Sequence, residues 1–183
     1  MRTIPPASLI VAVFCAAAFA AEPLPVIRDK TLVTWVLPAN LTQRGGSVLT
    51  IQEKEAFDAV VLGERAAGRW MAGSDFFRRT QNENEQAACL PETAGPKTLV
   101  QIAIVYKGNQ ISIFRNGNPY ATYAVRESQS FGKGTFVLLG LRYLGEMGEI
   151  GPFAGAIEDA RIYDVALDAK LIAALDPKRL SDP

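Results

Sequence analysis

Phe153-Ala-Gly-Ala-Ile-Glu-Asp-Ala-Arg-Ile-Tyr163, running on into Asp164-Val-Ala-Leu-Asp168-Ala-Lys-Leu-Ile172, decides the fold. Strand alternation puts Phe153, Gly155, Ile157, Asp159, Arg161 and Tyr163 on one face. Ala154, Ala156, Glu158, Ala160 and Ile162 fall on the other. A short helix over Ala169 to Leu175 follows, because the Asp168 carboxylate can accept from the free N–H groups of its first turn. Leu171 stands where a capping box would carry Glu or Gln. Asp176-Pro177 ends the helix.

Upstream, short apolar runs recur between turn signals. Thr135 to Arg142 reads as a strand, and Gly145 to Pro152 as a glycine-rich loop. Thr98 to Tyr106, Gln110 to Arg115 and Pro119 to Val125 form a meander. Its second hairpin turns at Asn116-Gly117, a dipeptide suited to φ > 0 at both central positions. Lys30 to Leu37, Ser47 to Ile51, Phe57 to Leu62 and Arg69 to Ala72 read as strands bounded by Pro38, Gly45-Gly46, Gly63 and Gly73. Ser74 to Pro96 is the least regular part and reads as a long loop carrying at most one strand. About ten short strands with one terminal helix describe an all-β fold, an antiparallel β-sandwich with a short C-terminal helix.

Two stretches carry a resemblance. The aromatic-x-Gly-x-Ile-acid-acid-x-Arg-Ile-Tyr pattern of Phe153 to Tyr163, with Ala166-Leu167 and the helix behind it, resembles the closing strand of laminin-G-like domains, which are concanavalin A-type jelly rolls. The Phe114-Arg-Asn-Gly117 turn is similar to a turn of the same family. The similarity covers about Lys30 to Leu175 and is most specific from Thr98 onward. Thr31 to Trp35, Gln43 to Gly46 and Gly68 to Asp75 are similar to a narrower group. These are sandwich modules of bacterial secreted proteins, often joined to glycoside hydrolase family 32 (levanase- or invertase-like) domains. The resemblance implies a sugar- or protein-binding sandwich, in a family where loop acids and carbonyls commonly hold calcium.

Arg2, the apolar run Leu9 to Ala18 and the small residues around Ala20 read as a signal peptide over 1–20, cut near Ala20. The run is about half the ~20 residues a bilayer span needs. Phe14 before Cys15 is too bulky for a lipidation signal. A linker over 21–29 leads into a single domain at 30–176, and 177–183 reads as a C-terminal linker. The expected location is secreted or periplasmic, with no membrane partner once the signal is removed. The chain carries 19 basic and 19 acidic residues, so no field draws it to nucleic acid or to an anionic membrane.

The chain contains no histidine. That excludes Ser-His-Asp and Cys-His mechanisms and zinc sites built on imidazole. Any metal would need oxygen ligands, which points to calcium. Cys89 is the one cysteine outside the signal peptide and reads as a half-buried hydrophobe with no base to activate it. Glucanases of this superfamily set their acids alternately along one strand as Glu-x-Asp-x-x-Glu, and that pattern is absent. Glu158 and Asp159 are adjacent, and Glu146 and Glu149 lie in a glycine-rich loop. The nucleophile, Arg-Asp and Glu-Cys motifs of family 32 hydrolases are missing too. The expectation is a chain that is not itself an enzyme.

Sugar binding needs flat aromatic faces with planar polar groups at the rim. Gly68-Arg69-Trp70-Met71-Ala72-Gly73-Ser74-Asp75-Phe76-Phe77-Arg78-Arg79 offers both. The candidate carbohydrate residues are Arg69, Trp70, Asp75, Arg78 and Arg79, with a core position for Trp70 as the alternative. Trp35, mid-strand among apolar residues, reads as core. Asp75, Asn82 and Glu83 are the candidate metal ligands, although no Asp-x-Asp-x-Asp-Gly spacing supports them. Asp159 and Arg161 read as an ion pair at the sheet edge or a tie for a neighbouring loop, with a place for Asp159 in a metal or ligand cleft as the alternative. The expected function is a non-catalytic carbohydrate-binding module beside a glycan-active enzyme, its partner a polysaccharide or a neighbouring hydrolase domain. A structural or protein-interaction sandwich is the alternative, and a free-standing glycosidase the third reading.

Overall fold

The computed structural model describes residues 26–145 and 151–178. The expected signal peptide, the first part of the 21–29 linker, Glu146, Glu149 and residues 179–183 lie outside the described residues. Among the described residues, nine strands form two antiparallel sheets. The first holds, in spatial order, β7 (Asn118–Ala124), β6 (Gln110–Arg115), β5 (Val100–Lys107), β1 (Lys30–Pro38) and β9 (Gly155–Tyr163). The second holds β4 (Trp70–Ser74), β3 (Ala56–Leu62), β2 (Gly46–Glu53) and β8 (Phe136–Leu139). The helices are α1 (Glu83–Ala88) and α2 (Ala169–Ala173). This is the all-β antiparallel sandwich with a short C-terminal helix expected from the pattern.

The two sheets face each other across Leu32, Val36, Val60, Leu62, Ile102, Ile104, Ile111 and Ile113, all buried. Burying one such side chain is worth roughly 1.5–3 kcal/mol, so this layer supplies most of the drive to fold. Asn116 and Gly117 take φ of 50° and 73°, as the hairpin turn requires.

The closing strand departs from simple alternation. Trp35 pairs with Asp159 but Val36 pairs with Ile157, so a bulge stands at Glu158. The extra residue switches faces. Ile157, Ala160 and Ile162 therefore pack on the inter-sheet core, while Tyr163 packs on the outer face. Asp159 and Arg161 pair with Trp35 and Val33, which sit on that outer face as well, so they do not share a face with Ile157. Gly155 is required by close approach. A Cβ there would stand 2.5 Å from the Leu37 carbonyl oxygen and 2.6 Å from the Phe153 ring.

Asp168 caps α2 as expected, its carboxylate accepting from the Leu171 N–H at 2.8 Å. The helix buries Ile172 on Val33, Trp35, Ala103 and Val105, the outer face of the first sheet. Trp35 is thus core, but beneath α2 rather than between the sheets. The Arg161 guanidinium lies 4.6 Å from its ring centroid. Arg161 also binds Asp159 and the Asp176 carbonyl, and the Lys178 N–H donates to Asp159, so the pair ties down the C-terminal segment.

After β4 ends at Ser74, the region 75–96 contains no strand. It holds a 3-10 turn at Asp75–Phe77 and α1. The Asn82 side chain accepts from the Glu85 N–H while the Glu85 side chain accepts from the Asn82 N–H, a complete capping box.

Candidate functional site

The stretch Arg69 to Arg79 divides between the interior and the surface. Trp70 is 0% exposed and lies in the inter-sheet core. Its indole N–H donates to Glu92 Oε2 at 2.7 Å. Its ring is therefore not available as a sugar platform, because β4 turns that residue toward the first sheet. Arg69 donates to the Cys89 and Ala67 carbonyls and fixes the loop beside it. Cys89 itself is half-buried, and that burial pushes its thiol up.

Arg79 and Asp75 are buried as well. The Arg79 guanidinium binds Asp58 Oδ1 at 2.8 Å, Asp75 Oδ1 at 2.5 Å and the Phe57 carbonyl at 2.9 Å. Lys30 reaches the other Asp58 oxygen at 2.8 Å and lies over the rings of Tyr106 and Phe131. Burial works to lower the Arg79 pKa, but Asp58 and Asp75 outweigh it and raise the value. These groups join β1 of the first sheet, β3 of the second and the turn after β4. Buried charges of this kind persist because each is paired. Arg79 is thus a clamp on the 75–79 turn and not a rim residue.

What the clamp holds is a pair of aromatics. Phe76 and Phe77 follow Asp75 with φ of 49° and 57°. Left-handed backbone costs an ordinary residue roughly 1–2 kcal/mol, and successive residues of this kind are rare. Phe76 is nonetheless 62% and Phe77 39% exposed. The two rings line a cleft of about 230 Å³ with Phe57, Ser74, Asp75, Arg142 and Tyr143. Phe57 projects from the outer face of β3. Arg142 and Tyr143 come from the segment after β8, which is held across β2 by hydrogen bonds between the Gln52 side chain and Leu144. Tyr143 stands 5.8 Å from Phe57, centroid to centroid, at a tilted 53°.

Of the residues expected from sequence, Asp75 lines this cleft and Arg78 stands over Phe76 at its rim. Trp70, Arg79 and Arg69 lie elsewhere. Phe57, Arg65, Phe76, Phe77, Arg142 and Tyr143 were not among them. The doublet Phe76-Phe77, directly after a strand end, was the available signal. A larger hollow of about 460 Å³ lies among Leu90, Pro91, Thr93, Arg115, Asn118, Pro119 and Tyr120. Its largest polar groups, Arg115 and Tyr120, are already engaged. Arg115 is locked on Glu92, and the Tyr120 hydroxyl donates to the Leu90 carbonyl.

The candidate metal ligands do not converge. One Asp75 oxygen is held by Arg79 and the other faces Arg78 at 3.6 Å. Asn82 caps α1, and Glu83 begins its first turn. Among the described residues no group of three or more His, Cys, Asp or Glu side chains is placed to hold a metal ion.

Two packed antiparallel sheets of this strand order define an antiparallel β-sandwich. The chain belongs to the Concanavalin A-like lectin/glucanases superfamily, whose Laminin_G_3 profile matches residues 16–173. No curated protein matches it. Among solved structures it is similar to a heptameric SAP-like pentraxin from Limulus polyphemus, at 17% identity and a TM-score of 0.58 over 83% of this chain and 71% of that one. It is also similar to domain 4 of AbnA, a GH43 extracellular arabinanase from Geobacillus stearothermophilus solved with arabinotriose, at 16% identity and a TM-score of 0.57 over 81% and 66%. A third is the CBM40 module of the Ruminococcus gnavus IT-sialidase bound to alpha2,3 sialyllactose, at 17% identity and a TM-score of 0.53 over 81% and 82%. These likenesses are of fold.

Proposed function

We propose that this chain is a secreted, non-catalytic carbohydrate-binding module, accessory to a glycan-active enzyme, and that it holds its ligand on the Phe76–Phe77 cleft. The observation that carries the reading is the strained, solvent-facing aromatic pair. Hydrophobic collapse does not explain two adjacent phenylalanines kept in left-handed backbone and turned outward by a buried clamp. A sugar ring supplies the C–H face that such rings pack against, and Tyr143 and the flanking arginines supply hydrogen-bonding groups at the rim. Structural neighbours that bind arabinotriose and sialyllactose support the sugar class. The absence of catalysis is supported by the carboxylates near the cleft. Asp75 and Glu64 are each held by an arginine, so neither stands free to serve as the acid or the base of a hydrolase pair.

Isothermal titration against soluble polysaccharides tests the reading, with wild type compared to Phe76→Ala. The expected result is a measurable affinity that falls at least about tenfold in the variant while the melting temperature holds. Binding that the variant leaves intact counts against this site. Release of reducing sugar by the chain alone counts against the non-catalytic reading.

A second reading, docking on a neighbouring domain such as a family 32 hydrolase, has its own support. Val137 and Leu139 on edge strand β8 are 51% and 59% exposed, an apolar strip that a protein partner would cover.

A further inference from the structure

Each phenylalanine ring of the cleft carries a guanidinium. Arg65 lies 4.8 Å from the centroid of Phe77, Arg78 5.4 Å from Phe76 and Arg142 5.8 Å from Phe57. Stacking on a ring face leaves the N–H edge of a guanidinium free to donate outward. Arg65 gives one N–H to the Gln81 carbonyl and has no carboxylate partner among the described residues. Arg78 is 57% exposed, and its contact with Asp75 is long at 3.6 Å. Arg142 pairs with Glu64.

The local balance of charge is lopsided. The cleft and its clamp contain Lys30, Arg65, Arg78, Arg79 and Arg142, and the carboxylates paired with them are Asp58, Glu64 and Asp75. Five cations against three anions leave two positive charges in a chain whose formal net charge is zero. Asp58 and Asp75 balance the buried Lys30 and Arg79, and Glu64 balances Arg142, so the excess sits at the surface, on Arg65 and Arg78. Arg78 also borders a second, wider hollow of about 680 Å³ with Thr80, Ala124, Val125, Arg126 and Glu127. The surface open to a polymer therefore continues past the aromatic pair.

We infer that the ligand is an acidic glycan, whose sugar faces pack on Phe76 and Phe77 while its carboxylate or sulfate groups meet Arg65 and Arg78. The inference rests on the reading of this cleft as a sugar site. The planar guanidinium fork matches both anionic groups in a bidentate way. A neutral sugar would cover these cations without returning any charge, whereas an acidic one compensates the excess that the fold leaves there.

The test is affinity electrophoresis and titration calorimetry of the full chain against four probes: polygalacturonate, a sulfated galactan, linear arabinan and neutral β-galactan. Wild type is compared with Arg65→Gln, Arg78→Gln and Phe76→Ala, with thermal melts confirming that each variant folds. The expected result is binding to one of the two acidic polymers at least about tenfold tighter than to either neutral one. It weakens with added salt, falls severalfold in each arginine variant and is lost in Phe76→Ala. Polygalacturonate against sulfated galactan tells carboxylate from sulfate. Equal affinity for a neutral polymer, sensitive to Phe76→Ala but not to the arginine variants, overturns the acidic ligand and leaves the sugar reading standing. Polyanion binding indifferent to Phe76→Ala overturns the site. Binding to none of the four overturns both.

Discussion

At the scale of single residues, the informative positions are those where local preference is overruled. Phe76 and Phe77 occupy backbone that glycine would take without penalty, and their rings gain little burial in return. Such strain is kept where it serves a function. Phe76→Gly should therefore raise the stability of the fold by about 1 kcal/mol, read as a higher urea midpoint, while it removes glycan binding. A variant that is both less stable and unbound would mean that the ring packs structurally. Asp58 poses the opposite case. It satisfies Lys30 and Arg79 at once, at 2.8 Å each, with all three side chains buried. Asp58→Asn keeps the shape but leaves two buried cations short of an anion, a change that costs roughly 3–5 kcal/mol. Urea unfolding should show that loss, and the affinity of the cleft should fall with it because the turn is no longer clamped.

At the scale of elements, the second hairpin and α2 depend on each other through one glycine. Gly117 has φ of 73°, and a Cβ there would stand 2.8 Å from both Cα and Cβ of Ala173. Gly117→Ala should strain the turn and lift α2 from the sheet, costing about 1–3 kcal/mol. An increase in amide exchange around Ile172 would report it. The turn itself was legible in sequence because Asn-Gly encodes its own backbone, whereas the contact with α2 was not. The same contrast runs through the chain. Strands β1, β3, β5, β6 and β7 follow from alternation and punctuation, and the α2 cap follows from Asp168. The bulge at Glu158 was invisible, since strict alternation looks equally good with or without one extra residue. Helix α1 was missed because its capping box, Asn82 to Glu85, precedes a short polar run instead of an apolar stripe. Trp70 was left open between rim and core for a related reason, and its core reading is the one the fold adopts. Flanking glycines and arginines suggest exposure, but which face of β4 turns inward is decided by its pairing with β3. The cleft gathers side chains from β3, the turn after β4 and the segment after β8, and no local pattern announces such a meeting.

At the scale of the whole molecule, the two sheets are fastened by hydrophobic packing, by the Lys30–Asp58 pair and by a second carboxylate, Glu92. Glu92 accepts the Trp70 indole N–H from β4 and a bidentate pair from Arg115 on β6, with the Thr93 and Ala94 N–H groups completing its shell. Burial would raise its pKa, but the bonds from Arg115, Trp70 and Ala94 outweigh that and hold it at about 2, against an ordinary 4.5. Because the folded value is the lower one, the ionised form is what the fold binds. Its contribution is fully present above the unfolded value and disappears as pH falls toward the folded one. A shift of this size is worth about 3 kcal/mol. Glu92→Gln should cost a similar amount at pH 6, where the wild-type carboxylate is charged, and only a small remainder near pH 2, where the folded wild-type carboxylate is half protonated and the unfolded one neutral. Urea midpoints of the two proteins measured at intervals from pH 6 to pH 2 should therefore converge, with most of the closing below pH 4.5. Parallel curves across that range would mean that the ionised Glu92 does not help to hold the sheets together.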